Sequence, residues 1–511
     1  PVQGNAADWF LDRNLRTGRG DRRVLQDPWR TLTYAELAGR AGQFAAALAR
    51  AGVGRERRVA MLMLDTIDFA VVFWGCVKAG VIPVPINTLL PPDTIAYILA
   101  DSRAEAVVVS APLLPQLGSN PTPRLVIAAQ TDGSTSGSGG IELPDFLASG
   151  NPETPTALCP PDEVAFWLYS SGSTGAPKGV RHVHASLQAT AETYGAQILG
   201  IGPDDLMFSA AKAFHAYGLG NSLTFPMSVG AGAVLLPDRP TPDSVLATMG
   251  RHRPTLFAGV PTLYASLLAN PSIGPGAGSD RLKRCISAGE ALPADLGRRW
   301  RTAVGTDILD GIGSTEMLHI FISNQSNDVL YGSSGKPVPG YEAMVVDEHD
   351  RPCPHGEMGE LIVKGPSAAD GYWNQRARTR RTFRGEWTYT GDKYTRDSEG
   401  YFRFCGRSDE MLKVSGVWVS PFEVEEALIA HPAVQEVAVV GRQDHDGLIK
   451  PKAFVVLADP AIATDPTLIQ TLQTHVKERA GPWKYPRWIA FVDSLPKTAT
   501  GKILRFRLRV D

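Results

Sequence analysis

The sequence predicts a two-part α/β protein, a large multi-layer region followed by a smaller α+β unit. Apolar runs of strand length alternate with amphipathic helical stretches through most of the chain, the mark of stacked βαβ layers. Over roughly the last hundred residues the order changes to helix, strand, strand, helix, strand, enough for a domain of its own. Length agrees, since 511 residues exceed one typical domain about threefold.

The first helix starts at Thr33-Tyr34-Ala35-Glu36, where Thr and Glu at capping-box spacing satisfy each other's free backbone N–H groups. Leu37, Phe44 and Leu48 then share one face to about Arg50. Arg58 to Leu64 reads as a buried strand, Thr66 to Lys78 as a helix and Val81 to Ile86 as a strand. The long apolar stretch from Phe69 to Ile86 is broken by Lys78, Pro83 and Pro85, which excludes a membrane span. Strand-like runs follow at Ala104–Ser110, Leu125–Ala129, Val164–Tyr169 and Ala233–Leu236, and the polar segment from Thr131 to Gly140 reads as a surface loop. In the last unit, Ser420-Pro421-Phe422-Glu423 is a second capping box with Pro at the first helical position, and His431-Pro432 stops that helix. Strands are predicted at Val437–Val440, Ala453–Leu457 and Trp488–Val492, with a helix opening at Asp465-Pro466 and running to Ala480.

Composition narrows the function. Charge is 51 minus 53, or −2, so no global field argues for nucleic acid or an anionic membrane. Five scattered cysteines without CxxC spacing exclude a disulfide framework and a cysteine-based zinc site. The first residues carry no basic-then-apolar pattern, so a cytoplasmic enzyme is expected.

The strongest chemical signal is Tyr169-Ser170-Ser171-Gly172-Ser173-Thr174-Gly175-Ala176-Pro177-Lys178-Gly179, placed after a predicted strand. Glycine N–H groups and hydroxyls can wrap a polyphosphate, and Lys178 adds a point charge. A Walker A loop is excluded, because it needs glycine at 177 and Ser or Thr at 179, where this chain has Pro177 and Gly179. No G-x-S-x-G elbow or clean G-x-G-x-x-G is present, which removes the usual support for a serine hydrolase or a dinucleotide enzyme.

This loop resembles the phosphate loop of the adenylate-forming superfamily, which holds acyl- and aryl-CoA ligases, peptide-synthetase adenylation domains and luciferase. Six further blocks resemble the family's motifs in the family's order. They are Ser287-Ala288-Gly289-Glu290-Ala291, Gly313-Ser314-Thr315-Glu316, Gly359-Glu360-Leu361, Tyr389-Thr390-Gly391-Asp392, Gly406-Arg407-Ser408-Asp409 and Pro496-Lys497-Thr498-Ala499-Thr500-Gly501-Lys502. The resemblance covers essentially the whole chain. It implies the adenylate-forming fold, with an N-terminal domain at 1–408, a mobile C-terminal domain at 409–511 and a hinge at Asp409. It also implies a two-step reaction in which a carboxylate attacks the α-phosphate of ATP and the acyl group then passes to a thiol.

Under that resemblance Ser170, Ser171, Gly172, Ser173, Thr174, Gly175, Lys178, Gly289 and Glu290 line the ATP site. Thr315 would hold the α-phosphate and Glu316 would help bind Mg²⁺, a hard cation suited to carboxylate and phosphate oxygens. Asp392 would accept from the ribose hydroxyls beside Arg407. Lys502 would bridge the attacking carboxylate and the α-phosphate, where negative charge gathers in the transition state. Lys413, Ser415 and Gly416 would flank the coenzyme A tunnel after the small domain turns about Asp409. One departure stands at Ile312, where the family commonly has an aromatic residue against adenine; Asp310 can still accept from the adenine amino group.

His215, within Lys212-Ala213-Phe214-His215-Ala216-Tyr217-Gly218, resembles the aromatic residue that orients the bound acid. Phe214 to Gly220 contains no acidic residue to pair with a substrate ammonium, which disfavours an amino acid. Phe214, Ala216, Tyr217, Gly218, Gly311, Ile312, Gly313, His319 and Ile320 imply a short slot with flat walls, most like that of benzoate-CoA ligases. Ring-substituted benzoates and small aliphatic acids are alternative substrates. A free-standing module that loads a carrier protein, or a non-catalytic nucleotide-binding protein, are alternative classes. The arginine runs at 376–384 and 503–509 read as solvated faces. A homodimer is the assembly that relatives point to.

Overall fold

The computed structural model describes all residues except 1–3, 119–122, 135–139, 173–174, 277, 409, 415–416, 446–447, 483, 498–502 and 510–511. Asp409, Ser415, Gly416 and Lys502, with Ser173 and Thr174 of the phosphate loop, therefore lie outside the described residues, as do the side chains of Ser171 and Lys413.

Two sheets with parallel cores build the large region. In one, the strands Ile82–Pro85, Arg58–Leu62, Ala106–Ser110, Leu125–Ala129 and Ile141–Glu142 lie side by side and all parallel. They read as continuous apolar runs because helices cover them. The helix Ile67–Lys78 is buried along its whole length. It can carry Lys78 inside because Asp12 takes the ammonium at 3.0 Å. Thr33 caps the helix Tyr34–Arg50 with the reciprocal Glu36 contact that its spacing predicts. The N-terminal segment is pinned to this layer by polar contacts: Asn5 Nδ2 donates to the Val77 carbonyl at 2.8 Å and Ala6 N–H to His184 Nδ1 at 3.1 Å.

The second sheet positions the site. Its neighbouring strands Leu206–Ser209, Leu256–Gly259, Arg284–Ser287 and Ile308–Gly313 run parallel, so their carboxyl ends open onto one edge. Ligands of open α/β sheets bind at such an edge. An antiparallel sheet formed by Glu342–Val346, Gly359–Lys364, Trp387–Arg396 and Phe402–Arg407 adds the last wall of the large region.

The small unit is an α+β domain as predicted. The helix Pro421–Ile429 precedes the hairpin Val434–Gln443 and Ile449–Leu457, and Trp488–Phe491 joins parallel to the second strand. Its helix begins at Leu468, three residues after the predicted Asp465 start, because Pro460–Thr464 forms a separate 3₁₀ turn first. Ser420 Oγ accepts the Glu423 N–H at 3.2 Å, but the Glu423 carboxylate pairs with Lys484. The two units meet where Phe404 packs against Phe422 at 5.4 Å, and across a groove of about 360 Å³ between Ala294–Arg298 and Glu423–Ala430.

Two expectations are corrected. The phosphate loop is shorter than read: strands continue through Val164–Gly172 and Gly175–Val183 as an antiparallel hairpin that pairs Ser170 with Lys178. Glycine and serine here sit in a ladder with a partner strand, which satisfies backbone groups that the sequence alone leaves open. Arg505 is also no solvated charge. It forks onto Glu425 at 2.8 Å and lies 3.7 Å from Glu410, because the buried Glu425 on the helix Pro421–Ile429 needs a cation.

Candidate active site

The side expected to take the nucleotide is built from three segments that chain order keeps far apart. Lys178, on the second hairpin strand, places Nζ 2.9 Å from Glu316 Oε1. Tyr372 donates its hydroxyl to the same carboxylate oxygen at 2.7 Å and accepts from Lys178 at 3.0 Å. Burial pushes the Glu316 carboxyl up, yet Lys178 and the Tyr372 hydroxyl outweigh it and hold the group below its ordinary value. Glu316 is thus an ionised, half-enclosed carboxylate, and its hard oxygens are the donor chemistry that Mg²⁺ takes. The neighbouring Thr315 is fixed through its backbone, since His182 Nε2 donates to the Thr315 carbonyl at 2.7 Å. Burial depresses His182 to about 4, so it stays neutral. Ser170 Oγ is buried and without a hydrogen-bond partner at the base of the hairpin tip.

Asp392 and Arg407 lie opposite each other on paired strands, with Arg407 NH1 donating to Asp392 Oδ1 at 2.9 Å. Asp310, where the parallel pairing of its strand with Arg284–Ser287 ends, is 4% exposed, and burial raises it to about 8. Its Oδ2 accepts from Leu292 N–H at 3.5 Å, and its Oδ1 has no partner of hydrogen-bond geometry. A buried carboxyl with an open oxygen suits a ligand amino group. Gly289 and Glu290 form the turn that follows the neighbouring strand Arg284–Ser287.

The acid side is apolar and neutral. Lys212 turns away from it: Nζ donates to the Leu236 carbonyl and to the Asp238 carbonyl at 2.7 Å. Asp65 accepts the Ala213 N–H at 3.1 Å, so two buried charged residues fix the start of the Phe214–Gly218 segment. Phe214 packs edge-on against His215 at 4.7 Å. Burial depresses His215 to about 4, and its Nε2 is buried without a partner. The Tyr217 hydroxyl donates toward the Ile286 carbonyl at 3.0 Å and lies 3.1 Å from that of Gly259, locking the ring across the ends of two strands.

Facing it, His319 is 3% exposed with both ring nitrogens unpartnered. Its ring centroid lies 5.6 Å from Tyr217, 4.9 Å from Tyr194 and 4.5 Å from Phe225. Burial depresses it to about 3. A Cβ on Gly220 would stand 2.6 Å from the His319 ring, and one on Gly313 would stand 2.5 Å from its carbonyl oxygen, so both glycines are there for close approach. Ile312 and Ile320 lie on paired strands; Ile312 remains partly exposed and Ile320 packs its Cγ2 near Gly311.

The structure therefore gathers Lys178, Thr315 and Glu316 into one cluster and Tyr217, Gly313, His319 and Ile320 into another. Sequence reasoning missed Tyr372, His182, Tyr194 and Phe225. Each acts through a contact across 50 or more positions of chain (Tyr372 to Glu316 spans 56), and none belongs to a motif that spacing could reveal.

The sequence model described as AMP-binding enzyme matches residues 11–373, and that described as AMP-binding enzyme C-terminal domain matches residues 423–502. Among relatives, the benzoate–CoA ligase of Thauera aromatica is 54% identical over all of this chain and 96% of its own length. The 4-hydroxybenzoate–CoA/benzoate–CoA ligase of Rhodopseudomonas palustris is 48% identical over 99% of this chain and 94% of its own. A benzoate CoA ligase structure from Burkholderia xenovorans superposes with a TM-score of 0.92 at 47% identity, covering 99% of each chain.

Proposed function

The chain belongs to the AMP-binding enzyme family, and on that premise we propose that it is a benzoate–CoA ligase, converting ATP, benzoate and coenzyme A into benzoyl-CoA, AMP and pyrophosphate. The observation that carries the substrate assignment is the uncharged acid side. His215 and His319 are held neutral by burial, Tyr217 is locked by two carbonyls, and among the described residues no carboxylate stands in the 214–220 segment to receive an ammonium. An unsubstituted ring asks for such a surface.

In the first step a benzoate oxygen attacks the α-phosphorus, the bond to the bridging oxygen breaks and pyrophosphate leaves. Thr315, whose backbone His182 holds, would take an α-phosphate oxygen, and Lys178 would exchange Glu316 for the phosphates. Glu316 is the residue that would hold Mg²⁺, which brings positive charge to the polyphosphate. Asp392 takes the ribose hydroxyls beside Arg407, and Asp310 the adenine amino group. Lys502 neutralises charge on the attacking carboxylate and the α-phosphate. In the second step the small domain turns about Asp409, the thiolate of coenzyme A attacks the acyl carbonyl past Lys413, Ser415 and Gly416, and AMP leaves. The proposal places this chemistry in the cytoplasm, on small-molecule substrates, with a homodimer as the assembly to test. No helix among the described residues is long and apolar enough to cross a membrane.

A substrate panel tests this reading. With ATP, Mg²⁺ and free coenzyme A, AMP and acyl-CoA are followed for benzoate, 2-aminobenzoate, acetate, octanoate and phenylalanine. Benzoate is expected to give the fastest thioester. Pyrophosphate release from benzoate without benzoyl-CoA would move the acceptor to a carrier protein, and no response to any aryl acid would overturn the slot.

A further inference from the structure

We infer that Tyr372 is a positioning residue for Glu316: its hydroxyl keeps the carboxylate aimed at the metal–nucleotide site when Lys178 lets go of it. The inference rests on the reading of Glu316 as the metal-holding residue. Glu316 Oε1 has two side-chain partners, Lys178 at 2.9 Å and Tyr372 at 2.7 Å. These two do not share one fate. Lys178 is on the strand that leaves the glycine-rich tip, and a polyphosphate, with more negative charge than one carboxylate, draws its ammonium away from Glu316. Once it turns to the phosphates, the carboxylate loses its cation.

The Tyr372 phenol carries no charge for a polyphosphate to draw away, its hydroxyl stands nearer Glu316 Oε1 (2.7 Å) than its other acceptor Thr382 Oγ1 (3.4 Å), and the fold holds the ring still. Its strand, Gly371–Tyr372, pairs antiparallel with Arg181 and Val180 of the hairpin, and its N–H donates to Thr379 Oγ1 at 3.1 Å. The ring is buried and packs on Phe383 at 5.6 Å, while the Ala369 N–H binds the Glu316 carbonyl at 2.8 Å. Both ends of the Tyr372–Glu316 contact are thus fixed by backbone bonds. With Oε1 held by the phenol, Oε2 is left for a cation. Partners that orient a metal ligand in this manner typically contribute about 10- to 100-fold to metal affinity.

The Lys178 ammonium also sits 4.3 Å from the Tyr372 ring centroid. The ring is therefore a resting place for the lysine while no phosphate is present, and removing only the hydroxyl leaves that contact intact.

The test is equilibrium binding of ATP, with and without Mg²⁺, to the full-length protein and its variants. The quantity read is the ratio of the two dissociation constants. Tyr372→Phe is expected to reduce that ratio about tenfold, with metal-free ATP affinity within about twofold of wild type. In ATP–pyrophosphate exchange the Mg²⁺ concentration for half-maximal rate should rise, with the rate restored at saturating Mg²⁺. A ratio unchanged in Tyr372→Phe while Glu316→Gln loses it would overturn the role of Tyr372 alone. A ratio preserved in Glu316→Gln would overturn the reading of Glu316, and the inference with it. Lys178→Gln gives an arm that does not depend on how well Tyr372→Phe folds. It should bind ATP more weakly but keep the ratio, because Tyr372 still aims the carboxylate; loss of the ratio there would assign the aiming to the lysine.

Discussion

The two halves of the site solve opposite problems. On the nucleotide side, charged groups are paired with one another: Lys178 with Glu316, Arg407 with Asp392. On the acid side, titratable groups are kept uncharged by burial, His215 at about 4 and His319 at about 3. Pairing keeps a charge available at modest cost, because an incoming ion replaces a partner instead of water. Burial without pairing removes the charge and leaves a surface for a flat apolar ring. Among the described residues of the proposed acid half, none offers a cation for the benzoate carboxylate. Lys212, the lysine nearest in sequence, is spent on backbone carbonyls. The proposed mechanism brings that charge from Lys502, which the resemblance of its motif assigns to the attacking carboxylate.

Removing that imported charge has the largest expected effect. Lys502→Ala should slow benzoyl-AMP formation by roughly 10² to 10³, the usual cost of one transition-state donor. Thioester formation from supplied benzoyl-AMP should stay close to wild type. The two half-reactions are separated by pyrophosphate release and by coenzyme A consumption; an equal fall in both would erase the contrast between a neutral acid half and an imported cation.

An intermediate effect is expected inside the acid half. His319→Ala removes a ring packed among Tyr194, Tyr217 and Phe225. The KM for benzoate should rise on the order of tenfold, in the range for a changed apolar contact, while the KM for ATP holds. Because His215 and His319 titrate far below neutrality, wild-type benzoate KM should be flat from pH 6 to pH 8. A KM that falls as pH drops through 6.5 would mean a histidine charges to meet the carboxylate, and the neutral pocket would be wrong.

The sequence carried more of the nucleotide half than of the acid half, for a physical reason. Motifs in a fixed local order single out Lys178, Thr315, Glu316, Asp392 and Arg407, and the structure pairs Lys178 with Glu316 and Arg407 with Asp392. The walls of an apolar slot tolerate many side chains, and what places them is strand order. The Gly259 and Ile286 carbonyls both reach the Tyr217 hydroxyl because their strands are neighbours in the sheet, which no local pattern encodes. The same limit hid Arg505, whose partner Glu425 is 80 residues away. Helix ends were legible nearly to the residue at Thr33 and His431, while the start read at Asp465-Pro466 falls three residues early. Strand ends slipped where tertiary pairing extends a strand through glycines, as at Gly172 and Gly175.

The smallest effect probes the one group that sits on the boundary between the halves. Asp310 belongs to the nucleotide side by its assigned partner and to the acid side by its treatment, buried and raised to about 8 from an ordinary 3.8. In the folded state it keeps a proton that the unfolded chain releases above about pH 4, so the folded state binds more protons between pH 4 and pH 8. Stability from this group therefore declines as pH rises through that window. Asp310→Asn removes the titration. Its thermal midpoint should match wild type near pH 4 and exceed it increasingly toward pH 8, by about 1 °C for each kcal/mol relieved in a chain of 511 residues. His182, His184, His215 and His319 are lowered by burial and act in the opposite sense, weakening the fold as pH falls from 6.5 toward 4. They are the same in both proteins, so the difference between the two melting curves isolates Asp310. A difference that does not grow with pH would place Asp310 as an ordinary ionised carboxylate, and the boundary between a paired half and a neutral half would then lie on its other side.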